Sequence, residues 1–114
     1  MAERKEGFGR TALITGASSG IGVEMSRLFA ANGYNLVVVG RSVEKLKALA
    51  TQLESEHEVR VRACPMDLSQ PQAAHALWSE LTNAGVAVDV LVNNAGVGLY
   101  GELWSCRRAE SHSR

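Results

Sequence analysis

The residues best placed to do chemistry are Thr15-Gly-Ala-Ser-Ser-Gly-Ile-Gly22, directly after a short apolar run, Thr11–Thr15. Glycines let a backbone approach a ligand closely, and free N–H groups at the start of a following helix attract an anion. A turn of this composition between strand and helix is a candidate phosphate cradle; the plainer alternative is a tight turn that holds nothing. The stretch Gly16-Ala-Ser-Ser-Gly20 also matches G-x-S-x-G, the elbow that presents a nucleophilic serine. Acyl transfer on Ser18 requires an acid and then a histidine downstream, and Asp89 and His112 are the residues on offer. Only a polar lead-in precedes the elbow to supply oxyanion donors, and nothing around His112 holds it, so hydrolase chemistry is set aside. Gly96-Val-Gly-Leu-Tyr-Gly101 reads as G-x-G-x-x-G, but no amphipathic helix starts at its end, so it is set aside too. Cys64 and Cys106 match no metal or redox spacing and are read as reduced thiols, His57 as solvated and His75 as structural. No metal site is expected.

The elements that must position the loop follow from hydrophobic periodicity. Ile21, Met25, Leu28 and Phe29 fall at helical spacing and predict one buried face, with Asn32-Gly33 as the stop. Asn35 to Gly40 is a β-branched run typical of a strand buried on both faces. Ser42 is placed to cap a helix whose stripe is Leu46, Leu49, Ala50 and Leu53. Val59 to Cys64 alternates apolar and basic residues, as an edge strand does. Ser69 and Pro71 are expected to open a third helix with Ala74, Leu77, Trp78 and Leu81 buried; Val86 to Val92 is expected to be a fourth strand. The alternation β-α-β-α-β-α-β implies an α/β fold, a doubly wound parallel sheet wrapped by helices with right-handed crossovers.

Composition fits that class. The chain has 114 residues, 46% hydrophobic, with 12 basic and 12 acidic side chains, enough for one domain at most. A zero formal charge argues against a nucleic-acid partner, and no apolar run approaches a membrane span. Met1 to Arg10 is polar and has no hydrophobic core of a signal peptide, so the expected location is cytoplasmic.

The spacing of Gly16, Gly20 and Gly22 resembles the T-G-x-x-x-G-x-G loop of the short-chain dehydrogenase/reductase family, which cradles a dinucleotide pyrophosphate. Three further segments match that family in order. Asp67, in Met66-Asp-Leu-Ser69, resembles the aspartate that contacts the adenine ring. Asn93-Asn-Ala-Gly96 resembles the N-N-A-G motif that supports the sheet and lines the cofactor site. Gly40-Arg-Ser42 resembles the segment that chooses between nicotinamide cofactors. An acid there would hydrogen-bond a ribose 2′-hydroxyl; Arg41 instead offers a guanidinium to a 2′-phosphate, so NADP is expected over NAD. The resemblance thus implies cofactor contacts from Gly16, Ser18, Ser19, Gly20, Ile21, Gly22, Arg41, Ser42, Asp67, Leu68, Asn93, Asn94, Ala95 and Gly96. Plainer roles stay open: Arg41 as a solvated surface charge and Asp67 as a helix cap.

The family transfers a hydride between the nicotinamide and a carbonyl or alcohol carbon, using a Ser and a Tyr-x-x-x-Lys pair well beyond the N-N-A-G motif. Here Tyr34 and Tyr100 are followed at the fourth position by Val38 and Trp104, and the last lysine is Lys47. No catalytic residue is therefore assigned. The resemblance implies an NADP-dependent oxidoreductase of which residues 1–104 hold only the cofactor-binding half, a Rossmann-like sheet of order 3-2-1-4 truncated after the fourth strand. Residues 105–114 are expected to form a disordered or out-of-register tail. The alternative is a non-catalytic fragment that binds a dinucleotide or self-associates through an open fourth-strand edge.

Overall fold

A computed structural model describes residues 6–70 and 72–94. Ala95, Gly96, the second glycine motif, the expected tail and Pro71 lie outside the described residues. The elements run β1 (Thr11–Thr15), α1 (Gly20–Ala31), β2 (Asn35–Gly40), α2 (Val43–His57), β3 (Val61–Pro65), α3 (Ala73–Asn83) and β4 (Val90–Val92). The strands form one parallel sheet in the order β3-β2-β1-β4, the Rossmann-like order expected from the sequence. The order reverses at β1, and this topological switch is where such sheets open a crevice at their carboxyl ends.

Each central strand is buried on both faces, so its side chains divide by alternation. Ala12, Ile14, Leu36 and Val38 pack toward α1 and α2, against Ala30, Leu46, Leu49 and Leu53. Leu13, Val37, Val39 and Cys64 pack toward α3, against Leu68, Ala74, Leu77 and Leu81. Two helices thus cover one face and a single helix covers the other.

The face that α1 presents overlaps only in part with the one its bulky residues predict: Met25 and Phe29 are half-buried against the core. Gly22, Ser26 and Ala30 are buried, while Ile21 is 69% and Leu28 58% exposed. Close approach contributes to this: the missing side chain at Gly22 lets the helix lie against the loop before it, and the Ser26 hydroxyl donates to the Gly22 carbonyl at 2.8 Å. Gly33, at φ +89°, ends the helix as expected. It donates its N–H to the Ala30 carbonyl while Tyr34 donates to that of Phe29, and the two rings meet edge to face at 4.9 Å.

Ser42 caps α2, its hydroxyl oxygen accepting the Lys45 N–H, and the predicted stripe is buried. Three boundaries move. β3 runs Val61–Pro65 rather than Val59–Cys64. α3 begins at Ala73 rather than at Ser69, because Ser69 turns back onto Asp67 and Gln72, at φ +68°, takes the capping position. β4 is shorter than Val86–Val92 because Asp89 interrupts it. Its carboxylate accepts the Thr11 N–H at 2.9 Å and its own N–H donates to the Thr11 carbonyl at 2.8 Å.

Candidate functional site

The β1–α1 turn leaves the sheet at the switch point, and its conformation depends on glycine at two places. Gly16 sits at φ +62°, and a Cβ there would come within 3.0 Å of the Asn94 carbonyl. A Cβ on Gly22 would fall 2.0 Å from the Gly16 carbonyl oxygen, so α1 can rest on the loop backbone only with no side chain there. Ala17 donates its N–H to the Val39 carbonyl at 2.9 Å, which ties the turn to β2.

Ser19 holds the N-cap position of α1 but does not cap it. Its hydroxyl donates to the Gly16 carbonyl at 2.8 Å and accepts from Asn94 Nδ2 at 3.1 Å. No acid occupies the first turn either. The opening amides of α1 therefore have no side-chain cap, the condition under which a helix start can take an anion. At Gly20 a Cβ would meet nothing within 4 Å, so the protein's own packing does not demand glycine there. A ligand lying across the helix start would.

Opposite the turn, Thr15 fixes the end of β4. Its buried hydroxyl donates to Asn93 Oδ1 at 2.9 Å and accepts the Asn94 N–H at 2.8 Å. Asn94 then reaches the Gly16 carbonyl through Nδ2 at 3.3 Å.

These parts border a cleft of about 330 Å³ at the carboxyl ends of the strands. Gly16, Ser18 and Ser19 form one wall, the β2 end with Gly40 and Arg41 another, and Met66 to Ser69 after β3 the third. Asp67 Oδ1 accepts two hydrogen bonds from Ser69, from Oγ at 2.6 Å and from N at 3.0 Å. Those bonds, helped by the Gln70 side chain and the Arg41 charge, hold the Asp67 carboxyl below its ordinary range. The cleft therefore combines an uncapped helix start, a guanidinium and an ionised carboxylate. That set suits a ligand with phosphate groups and a hydrogen-bond donor.

A family model described as short chain dehydrogenase matches residues 10–111. The chain belongs to the short chain dehydrogenase family. It is 43% identical over 90 residues to a very-long-chain 3-oxoacyl-CoA reductase from Meyerozyma guilliermondii, covering 77% of this chain and 26% of the relative. L-sorbose reductase from Gluconobacter frateurii, solved with NADPH and L-sorbose, superposes with a TM-score of 0.74 at 35% identity, over 83% of this chain and 36% of that one. A short-chain dehydrogenase from Sphingobium yanoikuyae in complex with NADPH gives a TM-score of 0.69 at 42% identity, over 77% and 34%. The chain thus spans between a quarter and about a third of the length of these relatives.

Within this short chain dehydrogenase fold the structure brings Gly16, Ser18, Ser19, Arg41, Asp67, Leu68 and Asn94 to one cleft. Gly20, Ile21 and Gly22 stand beside it at the start of α1, Ser42 is engaged in capping α2, and Asn93 faces Thr15. Val39, Gly40, Met66 and Ser69 also line the cleft and were not among the candidates. Gly40 had a signal, a glycine closing a strand: a Cβ there would lie 2.9 Å from Ser18 Oγ. Ser69 had one too, the Asp-x-Ser spacing of a side-chain-closed turn.

Two residues of the rejected hydrolase reading, Ser18 and Asp89, are far apart, and His112 lies outside the described residues. Ser18 lies past the carboxyl end of β1, whereas Asp89 is bonded to Thr11 at the strand's other end. Tyr34 is 7% exposed and packed on Phe29, a structural placement. Among the described residues no cluster of His, Cys, Asp and Glu could hold a metal ion, and no helix is long and apolar enough to cross a membrane.

Proposed function

We propose that this chain is the dinucleotide-binding portion of an NADP-dependent short-chain oxidoreductase acting on a carbonyl or alcohol, in the cytoplasm. The observation that carries the reading is the cleft itself. It joins an uncapped helix start to Arg41 at the end of β2, with no acid at that strand end to receive a 2′-hydroxyl. NADPH in the sorbose reductase and Sphingobium structures supports the choice.

Once bound, the nicotinamide would supply the hydride; everything else in this stretch is recognition. The opening amides of α1 would take the pyrophosphate, with Gly20 leaving room for it and Gly22 letting the helix sit close. Arg41 would pair with the 2′-phosphate and Asp67 would accept a hydrogen bond from the base. Thr15, Asn93 and Asn94 would hold the floor beneath the loop. No residue here is assigned a proton-transfer role.

Titration of the 114-residue chain with NADPH, followed by cofactor fluorescence, tests this. Saturable binding without oxidation of NADPH by added ketones or aldehydes is expected. Absence of binding, in a sample whose circular dichroism shows the α/β fold, would refute it.

A further inference from the structure

Ser69 has the composition of a helix opener, yet α3 starts four residues later with Gln72 in its N-cap position and no side-chain cap. The two donors of Ser69 go instead to a single oxygen, Asp67 Oδ1, at 2.6 and 3.0 Å. The Gln70 N–H closes the same turn by donating to the Asp67 carbonyl at 3.1 Å. Left to itself, an exposed aspartate samples several rotamers and serves a ligand only while it points the right way. The hydrogen bonds from Ser69 remove that freedom on one wall of the cleft, another wall of which carries Arg41. One cation and one anion are thereby presented to a single ligand, the first suited to phosphate and the second to an N–H donor.

We infer that Ser69 is a positioning residue for the dinucleotide, orienting the Asp67 carboxylate to accept the exocyclic amine of the base. The inference rests on the cofactor reading above and separates from it experimentally. The base is common to NADPH and NADH, so this contact strengthens both alike, whereas the contact from Arg41 acts on NADPH alone.

Affinities of the full chain for NADPH and NADH, measured by calorimetry, decide the matter with Ser69→Ala, Ser69→Thr, Asp67→Ala and the double variant Asp67→Ala/Ser69→Ala. Ser69→Ala should weaken both cofactors about three- to tenfold with their ratio unchanged, and Ser69→Thr, which keeps the hydroxyl, should restore binding to within about twofold. In the double variant the loss should equal that of Asp67→Ala alone, since Ser69 acts only through Asp67. Ser69 is exposed, so thermal midpoints of its variants should match the parent. Unchanged binding in Ser69→Ala, or fully additive losses in the double variant, would overturn the inference and leave the cofactor reading intact. If the parent chain bound neither dinucleotide, both would fall.

Discussion

At the scale of single residues, the glycines of the β1–α1 turn divide into those required by packing and the one left for a ligand. Gly22→Ala places a methyl 2.0 Å from the Gly16 carbonyl, so α1 must shift off the loop. The expected cost is about 1–3 kcal/mol, read as a lowered denaturant midpoint, together with weakened NADPH binding. Gly20→Ala meets nothing in the protein and should leave the midpoint unchanged while still weakening NADPH. Cys64 is a second residue with a defined chemistry. It is 3% exposed, and burial, then the adjacent Glu80 carboxylate, pushes its thiol up to about 12. It should stay protonated and resist alkylation at pH 8 in the native chain, as peptide mapping by mass spectrometry would record. An acid whose folded pKa is raised adds stability below its ordinary 9.0 and loses it as pH climbs toward about 12. Alkaline destabilisation in that window should shrink in Cys64→Ala. The sequence showed the glycine loop, Arg41 and Asp67 because each belongs to a spaced motif. It did not show Ser69 as a partner of Asp67, because the same Ser-x-Pro segment also reads as a helix start.

At the scale of elements, the parallel order and the stripes of α2 and α3 were legible because burial on a sheet face imposes its period directly. The face of α1 was legible only in part: Met25 and Phe29 do pack on the core, while Ile21 and Leu28 stay exposed. Periodicity finds the bulky residues and passes over Gly22, which meets the loop, and over the buried Ser26 and Ala30. β4 was overestimated because Asp89, polar inside an apolar run, closes a pair of hydrogen bonds with Thr11 rather than continuing the strand. The junction of β1 and β4 rests on the Thr15 hydroxyl, which serves Asn93 and Asn94 together. Thr15→Val keeps the shape and strands a backbone N–H. It should cost about 1–3 kcal/mol in chemical denaturation and loosen the cleft, seen as weaker NADPH binding.

At the scale of the whole molecule, the apolar surface is unevenly covered. Ile21 and Leu28 of α1 are exposed, Met25 between them is half-buried, and all three residues of β4 are half-buried. Ile21, Met25 and Leu28 adjoin one another by helical spacing, and contiguous exposed apolar surface drives association. The chain should therefore bind a hydrophobic dye and self-associate with rising concentration. Leu28→Gln should reduce both while leaving NADPH affinity unchanged, since Leu28 lies two turns along α1 from the cleft. A strictly monomeric parent at high concentration in light scattering would contradict this.

If the cleft takes a dinucleotide bearing a 2′-phosphate, the affinity ratio of NADPH to NADH in the parent chain and in Arg41→Ala records it most directly. The parent should prefer NADPH by about 10- to 100-fold, the worth of one or two charge-assisted hydrogen bonds, and Arg41→Ala should abolish the preference by weakening NADPH alone. Equal affinity for the two cofactors in the parent, or a preference that survives removal of Arg41, would contradict it.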